Sequence, residues 1–154
     1  MKLNYIVIPL ITIIVASMGS EFTEAGMEWY RTLRLPASTP SGAVIGLVWG
    51  VIYILTTASA LIVWNGTPHD SRFRAIVAIF LVNAFLNAFW SYLFFVQHWL
   101  AGSVVEIILL LATVAALVIL IWPRSVIAAV LLLPYAGWVA FASWLNIAIW
   151  RLNT

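Results

Sequence analysis

The sequence contains no cysteine, and only 8% of its residues are charged. Without cysteine the chain forms no disulfide, offers no thiolate nucleophile and lacks the sulfur ligands of soft metal sites. Its few Lys and Arg residues are too dispersed to present a basic surface to phosphates, so we expect no nucleic acid as a partner. These shortages exclude a disulfide-stabilised scaffold and a nucleic-acid-binding protein.

The residues of conventional catalysis are also scarce. The two histidines, His69 and His98, are separated by an apolar segment long enough to cross a membrane, so they are expected on opposite sides and cannot share a metal ion. The sequence assembles no Ser/His/Asp triad, glycine-rich phosphate loop or pair of acid–base carboxylates. We therefore expect no metal site, no required cofactor and no conventional hydrolase or ATP-driven transporter.

What the chain has in abundance is apolar surface, because 65% of its residues are hydrophobic. That fraction is far above the usual value for soluble domains, so most of this surface must face lipid. Charges, prolines and tryptophans separate five apolar segments of about 20 residues, the length that crosses a membrane. The segments are 3–20, 43–64, 75–96, 101–122 and 126–150. The sequence predicts an all-α membrane protein, a five-transmembrane-helix bundle that forms one domain over residues 1–154.

The first segment has a second interpretation. Lys2 precedes its apolar run and small residues lie at 16–20, which is also typical of a signal peptide. We favour a membrane span. Five spans place the termini on opposite sides, and the slight excess of Lys and Arg on the N-terminal side weakly favours a cytoplasmic N-terminus.

The connection between the first two spans, residues 21–42, is long for a compact protein, and such loops are usually functional or disordered. Trp29, Tyr30 and Pro36 make it apolar and stiff, so we expect it to fold back as a plug or lid. Thr39 and Pro40 are the predicted N-cap and first helical residue of the second span.

Amide and aromatic side chains recur at helical spacing in three spans. They are Trp49 and Tyr53 in the second span, Asn83, Asn87, Trp90 and Phe94 in the third, and Tyr135, Trp138, Ala142 and Asn146 in the fifth. These faces either line a pocket or join the helices by hydrogen bonds and aromatic packing, and both interpretations stay open. Pro134 predicts a kink in the fifth span.

Glu106 is the only carboxylate well inside a predicted span, and intramembrane acids are functional candidates. Ser103-x-x-Glu106 also has the pattern of a capping box, which we favour because a helix start is the least costly place for the charge. Gly42, Gly46 and Gly50 form a ridge of small residues that predicts the close approach of another helix, from this chain or from a second subunit.

Several of these motifs occur together in one known family. They are Trp29-Tyr30-x-x-Leu33-x-x-Pro36-x-x-x-Pro40, Trp49-x-x-x-Tyr53, Asn87-x-x-Trp90-Ser91 and Pro134-Tyr135-x-x-Trp138-x-x-Phe141-Ala142-x-x-Leu145-Asn146. In these motifs and over nearly its whole length the chain resembles the TspO/MBR family, which comprises bacterial tryptophan-rich sensory proteins and the mitochondrial translocator protein, or peripheral benzodiazepine receptor.

The resemblance implies a five-helix bundle, commonly dimeric, whose first loop covers a pocket for porphyrins and synthetic ligands. The expected function is that of a membrane receptor for a protoporphyrin-type tetrapyrrole or similar lipophile, in tetrapyrrole or stress regulation. Two alternatives remain: light- and oxygen-dependent porphyrin degradation, with Trp49 and Trp138 as candidate catalytic residues, and porphyrin transport. The expected partners are the porphyrin as a ligand, membrane lipid and a second copy of the chain.

The predicted ligand-binding residues come from the first loop and from four spans. They are Trp29, Tyr30, Arg31, Arg34, Pro36, Trp49, Tyr53, Asn83, Asn87, Trp90, Glu106, Tyr135, Trp138, Ala142, Leu145 and Asn146. Arg31 and Arg34 are included because porphyrin propionates are costly to bury unpaired. Glu106 is included because the family usually has an acidic residue at that position.

The chain departs from the family pattern at three positions. The family's loop usually reads Pro-x-Trp-x-Pro-Pro, whereas Ser38 stands here at the Trp and Ser41 at the last Pro. One wall or lid contact of the pocket is therefore expected to be missing. Sterol-binding members have a tyrosine where this chain has Ile147, so we expect weak sterol specificity.

Overall fold

The computed structural model describes residues 2–154, and every regular element in that range is helical. The elements are α1 (Asn4–Ala25), α2 (Met27–Tyr30), α3 (Gly42–Gly66), α4 (Ser71–Ser91) with a π-helical continuation (Tyr92–Val96), α5 (Leu100–Ile121), α6 (Val126–Val130) and α7 (Leu133–Leu152). Five stretches are long and apolar enough to cross a membrane, the fifth being α6 and α7 together. The predicted all-α, five-span integral membrane fold is confirmed for the described residues.

The centre of the bundle is α5. One whole face of it is buried, from Ile107 through Val114 to Ile121, and it packs between α4 and α7. By contrast α1 buries only Asn4 and Val15 and packs from outside against α3 and α4. Because α1 belongs to the bundle, the structure supports the span interpretation of the first segment.

Two helices start at residues other than the predicted ones: α4 starts earlier and α3 starts later. The third span begins at Ser71 instead of residue 75, because the Asp70 carboxylate accepts a hydrogen bond of 2.9 Å from the Phe73 N–H and caps α4. The hydrogen bond from the Arg124 guanidinium, followed by the one from the Phe73 N–H, lowers the pKa of Asp70 below its usual range. This ion pair joins the loop before α4 to the loop before α6.

The predicted N-cap Thr39 is wrong. The second span begins at Gly42, and Ser41 caps it by accepting from the Val44 N–H at 3.4 Å. The Thr39 hydroxyl instead donates to the Pro36 carbonyl at 2.7 Å, which closes a turn in the loop. A local side-chain-to-backbone bond thus competes with capping at this threonine.

Near the kink predicted at Pro134, the helix is interrupted for two residues between α6 and α7. The chain turns at Leu131 and Leu132, and Pro134 lies in the first turn of α7, where its missing N–H is not needed. A proline further along an unbroken helix would clash with the carbonyl four residues earlier, so the helix restarts just before it.

The glycine ridge of α3 does not pack against another helix within residues 2–154. A methyl group added at Gly42, Gly46 or Gly50 would meet no atom within 4 Å in the described part of the protein. The close approaches occur elsewhere: a methyl group at Gly26 would run into the backbone of Phe95, and one at Gly102 into the ring of Trp99.

Candidate ligand-binding site

A cavity of about 1140 Å³ lies between α1, α3, α4 and α7 and is also lined by residues of the first loop. Its walls carry three indole rings, those of Trp49, Trp90 and Trp138. The loop contributes Tyr30, Arg31, Leu35, Pro36, Thr39 and Pro40. The glycine ridge also lines it, so the small residues of α3 widen the cavity. The size and mainly apolar lining suit a lipophilic ligand larger than most metabolites.

A chain of hydrogen bonds crosses the bundle at the inner end of this cavity. The Tyr53 hydroxyl donates to Asn87 Oδ1 at 2.8 Å, and Asn87 Nδ2 donates to the Tyr135 hydroxyl at 2.9 Å. The Tyr135 hydroxyl donates to Asn83 Oδ1 at 3.2 Å, and Asn83 Nδ2 donates to Thr113 Oγ1 at 2.9 Å. The sequence left two roles open for the amides, and Asn87 has both: it joins helices and faces the cavity.

A second set of hydrogen bonds fixes Trp90. Its Nε1 donates to Asn146 Oδ1 at 2.8 Å, and Asn146 Nδ2 donates to Ser103 Oγ at 3.1 Å. Phe94 stacks on the Trp90 ring with centroids 5.2 Å apart. The orientation of this indole is therefore set before any ligand arrives, which reduces the entropy lost on binding.

Trp138 is different, because its indole N–H is unused. Its Nε1 is buried and has no hydrogen-bond partner anywhere in residues 2–154, although the residue lines the cavity. A buried unpaired donor is costly. A ligand that offers an acceptor at this wall would remove the cost.

The first loop is attached to the ends of α7 and of the third span. The Arg34 N–H donates to Asn153 Oδ1 at 2.9 Å, and Asn153 Nδ2 donates to the Arg34 carbonyl at 3.0 Å, so the loop is joined to the end of α7. Trp29 stacks on His98 with ring centroids 4.0 Å apart. Tyr30 is half-buried between the rings of Phe94 and Phe95, and this burial raises the pKa of its hydroxyl. These contacts hold the loop against the ends of α7 and of the third span.

The structure brings most of the predicted site residues to this cavity. Lining residues from the prediction are Tyr30, Arg31, Pro36, Trp49, Tyr53, Asn87, Trp90, Trp138, Ala142, Leu145 and Asn146. Trp29 and Arg34 hold the loop without lining the cavity, whereas Asn83 and Tyr135 belong to the chain of hydrogen bonds at its inner end and line a second cavity. Direct ligand contact at every one of these positions stays a prediction.

Glu106 lies apart from the cavity, and the capping-box interpretation of it is wrong. The helix begins at Leu100, so Glu106 is in its second turn, and Ser103 donates to the Leu100 carbonyl at 2.8 Å. The carboxyl group is buried, 4% of the residue being exposed, and neither oxygen has a hydrogen-bond partner in the described range. Glu106 lines neither cavity of the bundle.

Sequence reasoning missed the contribution of α1. Its residues Ala16, Gly19, Ser20 and Thr23 form one wall of the cavity. The available signal is the set of small residues at 16–20, a pattern that is also typical of a signal peptide. At helical spacing such residues also leave room for a ligand beside a helix.

Comparison with known proteins agrees with this architecture. The sequence model of the TspO/MBR family matches residues 6–151. This chain belongs to the TspO/MBR family. It is 40% identical to the tryptophan-rich protein TspO of Archaeoglobus fulgidus over 147 residues, 94% of this chain and 93% of the relative. It is 30% identical to the protein of the same name from Bacillus cereus, with 99% of both chains covered. The human translocator protein is 32% identical over 88% of this chain and 82% of its own.

Proposed function

We propose that this TspO/MBR protein is a membrane receptor that binds a porphyrin of the protoporphyrin type in the cavity beneath the first loop. The observation that supports this proposal is a cavity of about 1140 Å³ that is lined by three tryptophans, one of which has an unpaired indole N–H. A porphyrin is flat and apolar over its macrocycle, so indole faces suit it. Its propionates carry acceptor oxygens and negative charge, for which Trp138 Nε1 and Arg31 are available.

A titration of the purified protein with protoporphyrin in the dark tests the proposal. We expect saturable quenching of tryptophan fluorescence with one porphyrin per chain. Trp138→Leu should weaken binding because it removes both a wall and the free donor. Trp144→Leu is the matched control, because Trp144 lies on the same helix but is 51% exposed and does not line the cavity. Equal affinities of the two variants would contradict this placement of the ligand.

A second candidate is light-dependent breakdown of the bound porphyrin by oxygen. It is favoured by one observation: Trp49 and Trp138, two oxidisable rings, face the same cavity from α3 and α7. Illumination of the complex in air should then bleach the porphyrin absorbance faster than in free solution, and Trp49→Phe should slow the bleaching more than it weakens binding. Bleaching at the same rate as that of free porphyrin would contradict the breakdown activity, and only the receptor function would remain.

The homodimer implied by the family resemblance forms part of the same proposal. Light scattering of the purified protein in detergent, corrected for the bound detergent, gives the number of chains directly. We expect two chains per particle, and a single chain would contradict the dimer.

A further inference from the structure

A second cavity of about 640 Å³ lies at the other end of the bundle, between α1, α3 and α4. Its lining has only Tyr53 and Asn87 in common with that of the first cavity among residues 2–154. The hydrogen bond between these two side chains lies at the boundary between the two spaces. The volume is in the range of small-molecule sites, about 300–1,000 Å³, and the porphyrin proposal makes no use of it.

The depth of the second cavity matches one leaflet of a membrane. Along α1 its lining runs from Asn4 to Val15, and along α3 from Trp64 to Tyr53. At a rise of about 1.5 Å per residue, each stretch is about 16 Å long. A hydrocarbon core is about 30 Å thick, so the cavity runs from one membrane border to about the middle of the membrane. An extended acyl chain lying along the helices would have this direction and depth.

The outer end of the cavity carries two hydrogen-bond donors, the Asn4 amide and the Lys2 ammonium group. Asn4 is nine-tenths buried, and its Nδ2 has no hydrogen-bond partner in the part of the chain that the structure describes. The exposed Lys2 lines the same end. Further in, Val7, Ile11 and Ala60 give a mainly apolar wall. An ammonium group and an unpaired amide N–H together suit a small anionic head group, because each can donate a charge-assisted hydrogen bond to it.

We propose that the second cavity binds a long-chain fatty acid, with its carboxylate at Lys2 and Asn4 and its chain directed towards Tyr53. The carboxylate satisfies the orphaned Asn4 amide, and the alkyl chain fills apolar space that would otherwise lack contacts. A phospholipid could place one acyl chain in the same space, but its larger head group would have to fit against a side chain that is already almost completely buried. The small carboxylate meets that condition.

Binding can be measured with a polyene fatty acid whose fluorescence rises in apolar surroundings, titrated into protein in zwitterionic lipid nanodiscs. We expect Asn4→Leu to weaken binding about tenfold or more, because it removes a buried charge-assisted donor. Lys2→Gln should weaken it about two- to fivefold, since an exposed ion pair contributes little. Arg72→Gln is the matched control: Arg72 is an exposed cation on the same side that does not line the cavity, and the affinity should not change.

A second pair of variants tests the position of the alkyl chain. Ala60→Phe fills the middle of the cavity and should abolish saturable binding, whereas Ala115→Phe adds the same ring to an exposed site outside it and should leave binding intact. The thermal unfolding midpoint of each variant shows whether the fold is retained. Unchanged affinity in folded Asn4→Leu and Ala60→Phe proteins would overturn the site. Equal competition by the fatty acid's methyl ester or by phosphatidylglycerol would overturn the assignment to a free fatty acid.

Discussion

Replacing Arg31 by glutamine tests whether the protein recognises the charged propionates of a bound porphyrin separately from its apolar ring. From the sequence, Arg31 and Arg34 were equal candidates to contact the propionates. The structure distinguishes them, because Arg31 lines the cavity whereas Arg34 does not and has its backbone fixed to Asn153. We therefore expect only Arg31 to contribute to the recognition of the acid groups.

The size of the effect follows from exposure. Arg31 is exposed to solvent, so its ion pair with a propionate is screened and is expected to contribute about 0.2–1 kcal/mol. This corresponds to a loss of affinity of about fivefold at most in Arg31→Gln. A buried charged hydrogen bond would contribute about 1.5–3 kcal/mol, so a larger loss would show that the loop closes over the ligand and excludes water.

The assay is a dark fluorescence titration with protoporphyrin and with its uncharged dimethyl ester. Arg31→Gln should weaken the acid and leave the ester unchanged, and raising the salt concentration should reduce the difference. Arg34→Gln is the matched control and should bind both ligands as the unaltered protein does. An equal loss for acid and ester in Arg31→Gln would refute the propionate contact while leaving the aromatic cavity intact.

Three further outcomes are expected from the structure. Tyr53→Phe removes the donor to Asn87 Oδ1 and should lower the free energy of unfolding by about 0.5–1.5 kcal/mol; an unchanged thermal midpoint in detergent would show that this bond is not stabilising. Gly26→Ala forces a methyl group against backbone and should cost about 1–3 kcal/mol, whereas Gly46→Ala enters open space and should be nearly neutral, so equal midpoints would contradict the close approach. Because the chain has no cysteine, Lys2→Cys and Thr154→Cys each create a single thiol, and an impermeant maleimide should label them from opposite sides of sealed vesicles; labelling from one side would contradict five spans.

The local elements that the sequence predicted incorrectly are those with a competing hydrogen-bond partner nearby. Thr39 has the chemistry of an N-cap, yet its hydroxyl bonds to Pro36 and leaves the cap to Ser41. Ser103 and Glu106 have capping-box spacing, yet the helix begins one turn earlier, at Leu100. Such boundaries depend on which of several donors and acceptors the folded backbone brings within reach, and spacing alone does not decide between them.

The sequence by itself determined the class of protein, because apolar segments of membrane-spanning length have no stable alternative to helices in lipid. It also determined which faces of the second, third and fifth spans turn inwards, since helical periodicity places Trp49, Asn87 and Trp138 on particular faces. Only the tertiary structure decided which inward residues meet the same space. Tyr53 and Asn87, 34 positions apart in the sequence, form a hydrogen bond at the boundary between the two cavities. Asn83 lines only the second cavity, although it shares a helix face with Asn87. The physical reason is that periodicity fixes the direction of a side chain around its own helix, whereas the depth, tilt and neighbours of that helix come from packing against the others.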